Sequence, residues 1–217
     1  VLVILLCAIF SVQAQKTVKH TTGKKVVKGK TKAQTAAAKK PAEKRDEAAP
    51  LLLGMMFGFP EMTDAPNGEG KIDPVEDDMG TEIAKEMPEI AKEVAPLNGM
   101  QKLSLDEKNK RIREVSPVVE AKLTGVDKWQ FLAGKTIATI MAEAVKGRTD
   151  PDHTVSEEFI RARLAEIKTL VNTAPPNAPE SLLSGLKELS DLADREGITS
   201  SDNLTGLIER CTAALGL

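Results

Sequence analysis

The side chains able to do chemistry fall in two places. Asp150, Asp152 and His153 cluster in one short stretch, with Glu157 just beyond it. An imidazole among carboxylates can ligate a divalent metal or relay a proton, so a metal-assisted hydrolase built around His153 is one reading. The same residues have a structural account. Asp150-Pro151 is turn chemistry, and Thr154-Val155-Ser156-Glu157 has the form of a capping box, in which the glutamate reaches back to the helix start. An active site needs several roles filled at once, and the other histidine, His20, lies in a low-complexity stretch far along the chain.

The second place is Gly134-Lys135-Thr136, which matches the end of a phosphate-binding loop. That motif needs a further glycine five positions before the second one, between a strand and the start of a helix. Trp129 occupies the place, and the surrounding pattern is helical, where backbone amides are already bonded. Asp73, Glu76, Asp77 and Asp78 offer oxygens to calcium, but the alternating order of an EF-hand loop is absent. We therefore assign no catalytic residue, no cofactor and no metal ligand, and read the chain as non-enzymatic.

The elements that would position these residues are helices. Ser104-Leu105-Asp106-Glu107 is a capping box, and Ile112, Val115, Val119 and Leu123 continue an apolar stripe behind it. Pro117 predicts a kink or a restart capped by Ser116. A capping pattern at 127–130 opens a central helix ending at Gly147. Its apolar arc of Trp129, Ile137, Ile140, Met141 and others leaves only a narrow polar strip, so other helices should surround it. The third helix follows the 154–157 box. A fourth follows the Pro175-Pro176 break and closes at Gly197-Ile198, and a fifth begins near Ser200 and carries Leu204, Leu207, Ile208 and Cys211. The expected fold is all-α, a bundle of about five helices over residues 101–217.

What precedes the bundle is segregated by charge. Residues 1–10 are an uncharged apolar run, and Val12 and Ala14 suit a signal peptidase cutting after Ala14, so residues 1–14 read as an export signal. Ten apolar residues are too few to cross a hydrocarbon core of about 30 Å as a helix. Residues 16–47 hold 11 Lys/Arg against 3 Asp/Glu, and residues 61–94 hold 3 against 11, so the formal charge of −2 conceals two opposed blocks. The basic low-complexity segment 15–50, poor in large apolar residues, is expected to be disordered. Its Lys24, Lys25, Lys28, Lys30, Lys32, Lys39 and Lys40 are candidates for an anionic partner: an anionic polymer or a membrane surface. Nucleic acid fits an exported chain poorly, and with 3% aromatic residues there is little to stack on bases.

Between the blocks lies a compact apolar run at 51–60. Leu51, Leu52, Leu53, Met55, Met56, Phe57 and Phe59 are candidates for docking, on their own domain, at a membrane surface or in a partner groove. Gly54 and Gly58 repeat the spacing used for close helix contact. The acidic, proline-rich residues 61–100 read as a linker carrying short amphipathic turns, with Ile83, Met87, Ile90 and Val94 on one face of a short internal repeat. After signal removal Cys211 is the only cysteine, which excludes an intramolecular disulfide. The functional expectation is an exported (periplasmic, envelope-associated or secreted) protein-interaction or assembly component of the cell envelope. The alternative is an electrostatic binding module acting through the lysine-rich segment.

Overall fold

The structure, a computed structural model, describes residues 47–59, 79–192 and 194–216. The segment read as an export signal, the seven candidate lysines and the carboxylates at 73–78 lie outside the described residues. Among the described residues the fold has eight α-helices joined by turns and short 3-10 segments, and no strand. They are α1 (Ala49–Gly58), α2 (Met79–Glu86), α3 (Ala91–Val94), α4 (Leu105–Lys122), α5 (Gly125–Thr149), α6 (Glu157–Asn172), α7 (Glu180–Ser190) and α8 (Ser201–Ala214). The five-helix bundle expected from the sequence is α4–α8.

Helix α5 is the shared wall of two apolar cores. On one side Trp129, Ile137, Ile140 and Met141 pack with Ile160, Leu164 and Ile167 of α6, Leu186 of α7 and Leu207 and Cys211 of α8. On the other side Phe131 joins Leu53 and Phe57 of α1, Met87, Ile90, Val94, Leu97 and Met100, and Ile112, Val115 and Val119 of α4. No residue from 126 to 147 is exposed, as its broad apolar arc predicts. The indole Nε1 of Trp129 donates to the Leu170 carbonyl at 2.9 Å, so the ring is buried without leaving its one donor unpaired.

The folded unit begins earlier than residue 101. The compact unit runs from Arg45 to Leu217, and residues 79–100 are part of its core rather than a linker across it. The repeat explains why. Its apolar positions Met87, Ile90 and Val94 are at most 1% exposed, while Glu82, Lys85, Glu86, Glu89 and Lys92 face solvent. Pro88 splits the repeat as expected, opening a 3-10 turn between α2 and α3. Asn98 fastens the start of α2 to the turn after α3: its Oδ1 accepts from the Thr81 amide at 3.0 Å, and its Nδ2 donates to Thr81 Oγ1 at 3.1 Å.

Several helix ends depart from the sequence reading, each for a local reason. Helix α4 does not restart at Pro117 but runs through it. Pro117 is exposed, and so is Arg113, whose carbonyl loses its helical partner to the proline; that carbonyl lies on the solvated side. Ser116, expected as a cap, is instead buried inside the helix. Helix α5 begins at Gly125 rather than at an Asp127 cap, its glycine at φ +55°, a left-handed turn that separates it from α4. The N-cap of α6 is Ser156, which accepts from the Phe159 amide at 3.2 Å, and not Thr154. Helix α7 stops at Ser190, and Gly197 belongs to the turns that follow it. The Ser104 box forms as expected, with reciprocal bonds between Ser104 and Glu107.

Candidate functional site

The phosphate-loop fragment is part of a helix crossing. Helices α1 and α5 make the most extensive helix–helix contact of the fold. Gly134 faces the Leu51 carbonyl and the Met55 amide; Gly54 faces the backbone of Phe131, and Gly58 that of Lys135. A Cβ at any of the three would overlap a carbonyl oxygen of the facing helix. The Gly-x-x-x-Gly spacing of α1 thus meets a single glycine on α5, and the backbones touch. Thr139 Oγ1 adds a hydrogen bond to the Gly58 carbonyl at 2.9 Å, satisfying an acceptor at the open end of α1. Lys135, the would-be phosphate ligand, pairs with Glu120 at 3.2 Å and lies 5.9 Å from the Phe131 ring centroid. Thr136 Oγ1 donates to Glu166 at 3.4 Å. All three residues of the fragment are committed to packing or pairing.

The His153 cluster is likewise tied into the fold. The imidazole Nε2 lies 2.9 Å from Glu143 Oε1, which joins the 150–156 loop to the solvent edge of α5. The Asp150 carboxylate accepts from the Asp152 amide at 3.0 Å, the side-chain turn expected of that residue. Glu157 does not reach back as a cap partner; it binds Arg161 through Nε at 3.0 Å and Nη2 at 2.7 Å. Arg161 in turn donates to the Arg195 carbonyl at 2.6 Å, fixing the turn after α7. Among the described residues no three His, Cys, Asp or Glu side chains stand close enough to share a metal ion. Glu143 is the member of this group that local spacing could not supply, since it precedes the histidine by ten residues and meets it only because the chain turns back.

Of the apolar candidates, Leu53, Met55 and Phe57 are buried within the domain, and Phe57 packs on Phe131 with ring centroids 5.8 Å apart. Leu51 and Met56 are half-buried against the two cores. Leu52 and Phe59 are half-buried and belong to neither core among the described residues. Cys211 is fully buried, and loss of hydration pushes its thiol up to about 12, which leaves it protonated and unreactive at neutral pH.

The surface holds a shallow, open depression of about 610 Å³ between the turn after α3 and α4. Lys92, Glu93, Arg111 and Glu114 bring both signs of charge to it, and Val115 and Val118 its apolar floor. Arg111 already donates to the Pro96 carbonyl at 3.1 Å, and Glu93 pairs with Lys122 at 3.5 Å. Val118, 49% exposed, is the one large apolar side chain classed as exposed among the described residues. Such a surface can take part in a contact; it presents no nucleophile beside a base.

No described helix is long and apolar enough to cross a membrane. Compared with known protein families, curated proteins and solved structures, the chain matches none. What the fold defines is a class: an all-α domain in which one central helix separates two cores, with an apolar N-terminal helix seated against it through glycine.

Proposed function

We propose that this chain is an exported, non-catalytic protein that acts by binding, as an interaction or assembly component of a cell envelope. The observation that carries the reading is the separation of charge. A block of 11 Lys/Arg and 3 Asp/Glu at 16–47 leads directly into α1, and α1 is locked to the core of a helical domain. A charged segment joined to a rigid anchor transmits whatever it binds to the folded unit. The polar side chains that looked chemical in the sequence serve in pairs and caps, which suits a scaffold. Cross-linking in the native source, read by mass spectrometry, tests this: a defined protein partner or homo-oligomer should be recovered, and lost when residues 16–45 are deleted. Recovery of no partner, with hydrodynamic behaviour indifferent to salt, refutes it.

A second reading, electrostatic binding to an anionic polymer or membrane surface, is favoured by the same basic block. It predicts affinity that falls steeply with salt and vanishes on replacing Lys24, Lys25, Lys28, Lys30, Lys32, Lys39 and Lys40 by Gln. A metal-assisted hydrolase at His153 is the third reading. Activity unchanged in His153→Ala, or protein purified without metal, ends it.

A further inference from the structure

We infer that the outer face of α4, centred on Val118, is a contact surface for a second copy of this chain. The inference rests on the reading of the chain as an assembly component and names one partner for it. Glu114, Val118 and Lys122 recur at i, i+4 and i+8, so they form one ridge along α4. All three are exposed, and Val118 is the one large apolar side chain classed as exposed among the described residues. Pro117 and Ala121 beside it are exposed too. The side chains around Val118 are therefore short and apolar, and short side chains at a contact let two helix axes come close. Next to the ridge lies the depression floored by Val115 and edged by Pro96, which has room for a side chain of the opposite surface.

The order of charge along the ridge selects the occupant. From one end it reads negative, apolar, positive; from the other it reads positive, apolar, negative. A two-fold axis through Val118 sets two such ridges antiparallel. Valine then meets valine, and Glu114 of each copy meets Lys122 of the other. The surface is its own electrostatic complement, whereas a peptide of one sign would meet a like charge at one end. Neither charge is used up within its own copy. Glu114 lies 3.9 Å from Lys110, an exposed pair of little strength. Lys122 lies 3.5 Å from Glu93 but its side chain is 57% exposed, open to a second carboxylate. One helix and one turn from each copy make a contact at the small end of specific interfaces, so the dimer is weak and concentration-dependent.

The test is sedimentation equilibrium of the full chain over about a hundredfold range of concentration. Wild type should pass from monomer to dimer. Glu114→Lys and Lys122→Glu should each weaken the dimer by about tenfold or more, because each sets like charges across the axis twice. The double variant Glu114→Lys/Lys122→Glu reverses both signs and should return to within about threefold of wild type. Urea unfolding checks that each variant is folded. In a Cys7→Ser background, Val118→Cys should be trapped as a disulfide dimer about fivefold faster than Arg113→Cys, which is exposed on α4 but off the ridge. A chain that stays monomeric throughout overturns the inference; a different protein recovered by cross-linking then leaves the assembly reading standing. A dimer unmoved by the single reversals, or not restored by the double one, also overturns it and assigns self-association to another surface. Equal trapping of the two cysteine variants does the same.

Discussion

Replacing Gly134 by alanine separates two effects of opposite sign. In a free helix the change stabilises, since glycine costs about 1 kcal/mol relative to alanine in a helix interior. In this fold the new methyl would overlap the Leu51 carbonyl and crowd the Met55 amide. Both are backbone atoms of α1, so no rotamer change can relieve them, and α1 must move outward along its whole contact with α5. Overpacking of this kind costs about 1–3 kcal/mol, and displacement of a helix that buries Leu53 and Phe57 places the value at the upper end. The net expectation is a loss of about 1–2 kcal/mol. Gly206→Ala is the matched control: Gly206 lies within α8 with nothing near its missing Cβ, so alanine there should stabilise by about 0.5–1 kcal/mol. Urea unfolding followed by circular dichroism measures both. Gly54→Ala should resemble Gly134→Ala, and the double variant should lose less than the sum, because one displacement of α1 accommodates both methyls. If Gly134→Ala is as stable as wild type or more so, the glycine contact between α1 and α5 is not what holds them together.

Other outcomes follow from the two cores and the caps. Ile137→Ala and Ile140→Ala each truncate a fully buried side chain of α5 and should cost about 2–5 kcal/mol in the same urea assay. Hydrogen bonds from the Ser104 hydroxyl, and secondarily from its backbone amide, hold the Glu107 carboxyl below its ordinary value of 4.5. Its stabilising effect is therefore fully present above that value and lost as pH falls through the depressed one, so the stability gap between wild type and Glu107→Gln should close on acidification. In a Cys7→Ser background, Cys211 should resist thiol reagents at neutral pH and react fully once urea unfolds the chain. Rapid reaction in buffer would contradict its burial.

How much of this was legible beforehand differs from residue to residue. The Ser104 box was readable because a cap is a local event: four consecutive residues contain both partners. The patterns at 127–130 and 154–157 were equally plausible locally, yet the chain starts those helices at Gly125 and Glu157. Local capping energies of about 1 kcal/mol are small beside the burial of a helix face, and packing set the register of the ends. Met87, Ile90 and Val94 were recognised as one face, but their acidic, proline-rich surroundings suggested a linker. Proline at the boundaries of short turns interrupts helices without excluding their apolar faces from a core. The partners of His153 and Trp129 were invisible, since Glu143 and Leu170 are brought to them by turns of the chain.

That the domain is helical, which face of each helix is apolar and how charge is distributed along the chain could all be read without coordinates. Those properties follow from periodicity and composition, which are functions of neighbours in sequence. What each apolar face meets could not be read without coordinates. Periodicity states that a face must leave water, and many partners satisfy that demand equally. The choice of α1 as the partner of α5 depends on Gly54, Gly58 and Gly134 facing the opposing backbone in register, a complementarity between segments some eighty residues apart. It turned an apolar run and a false phosphate loop into one helix contact.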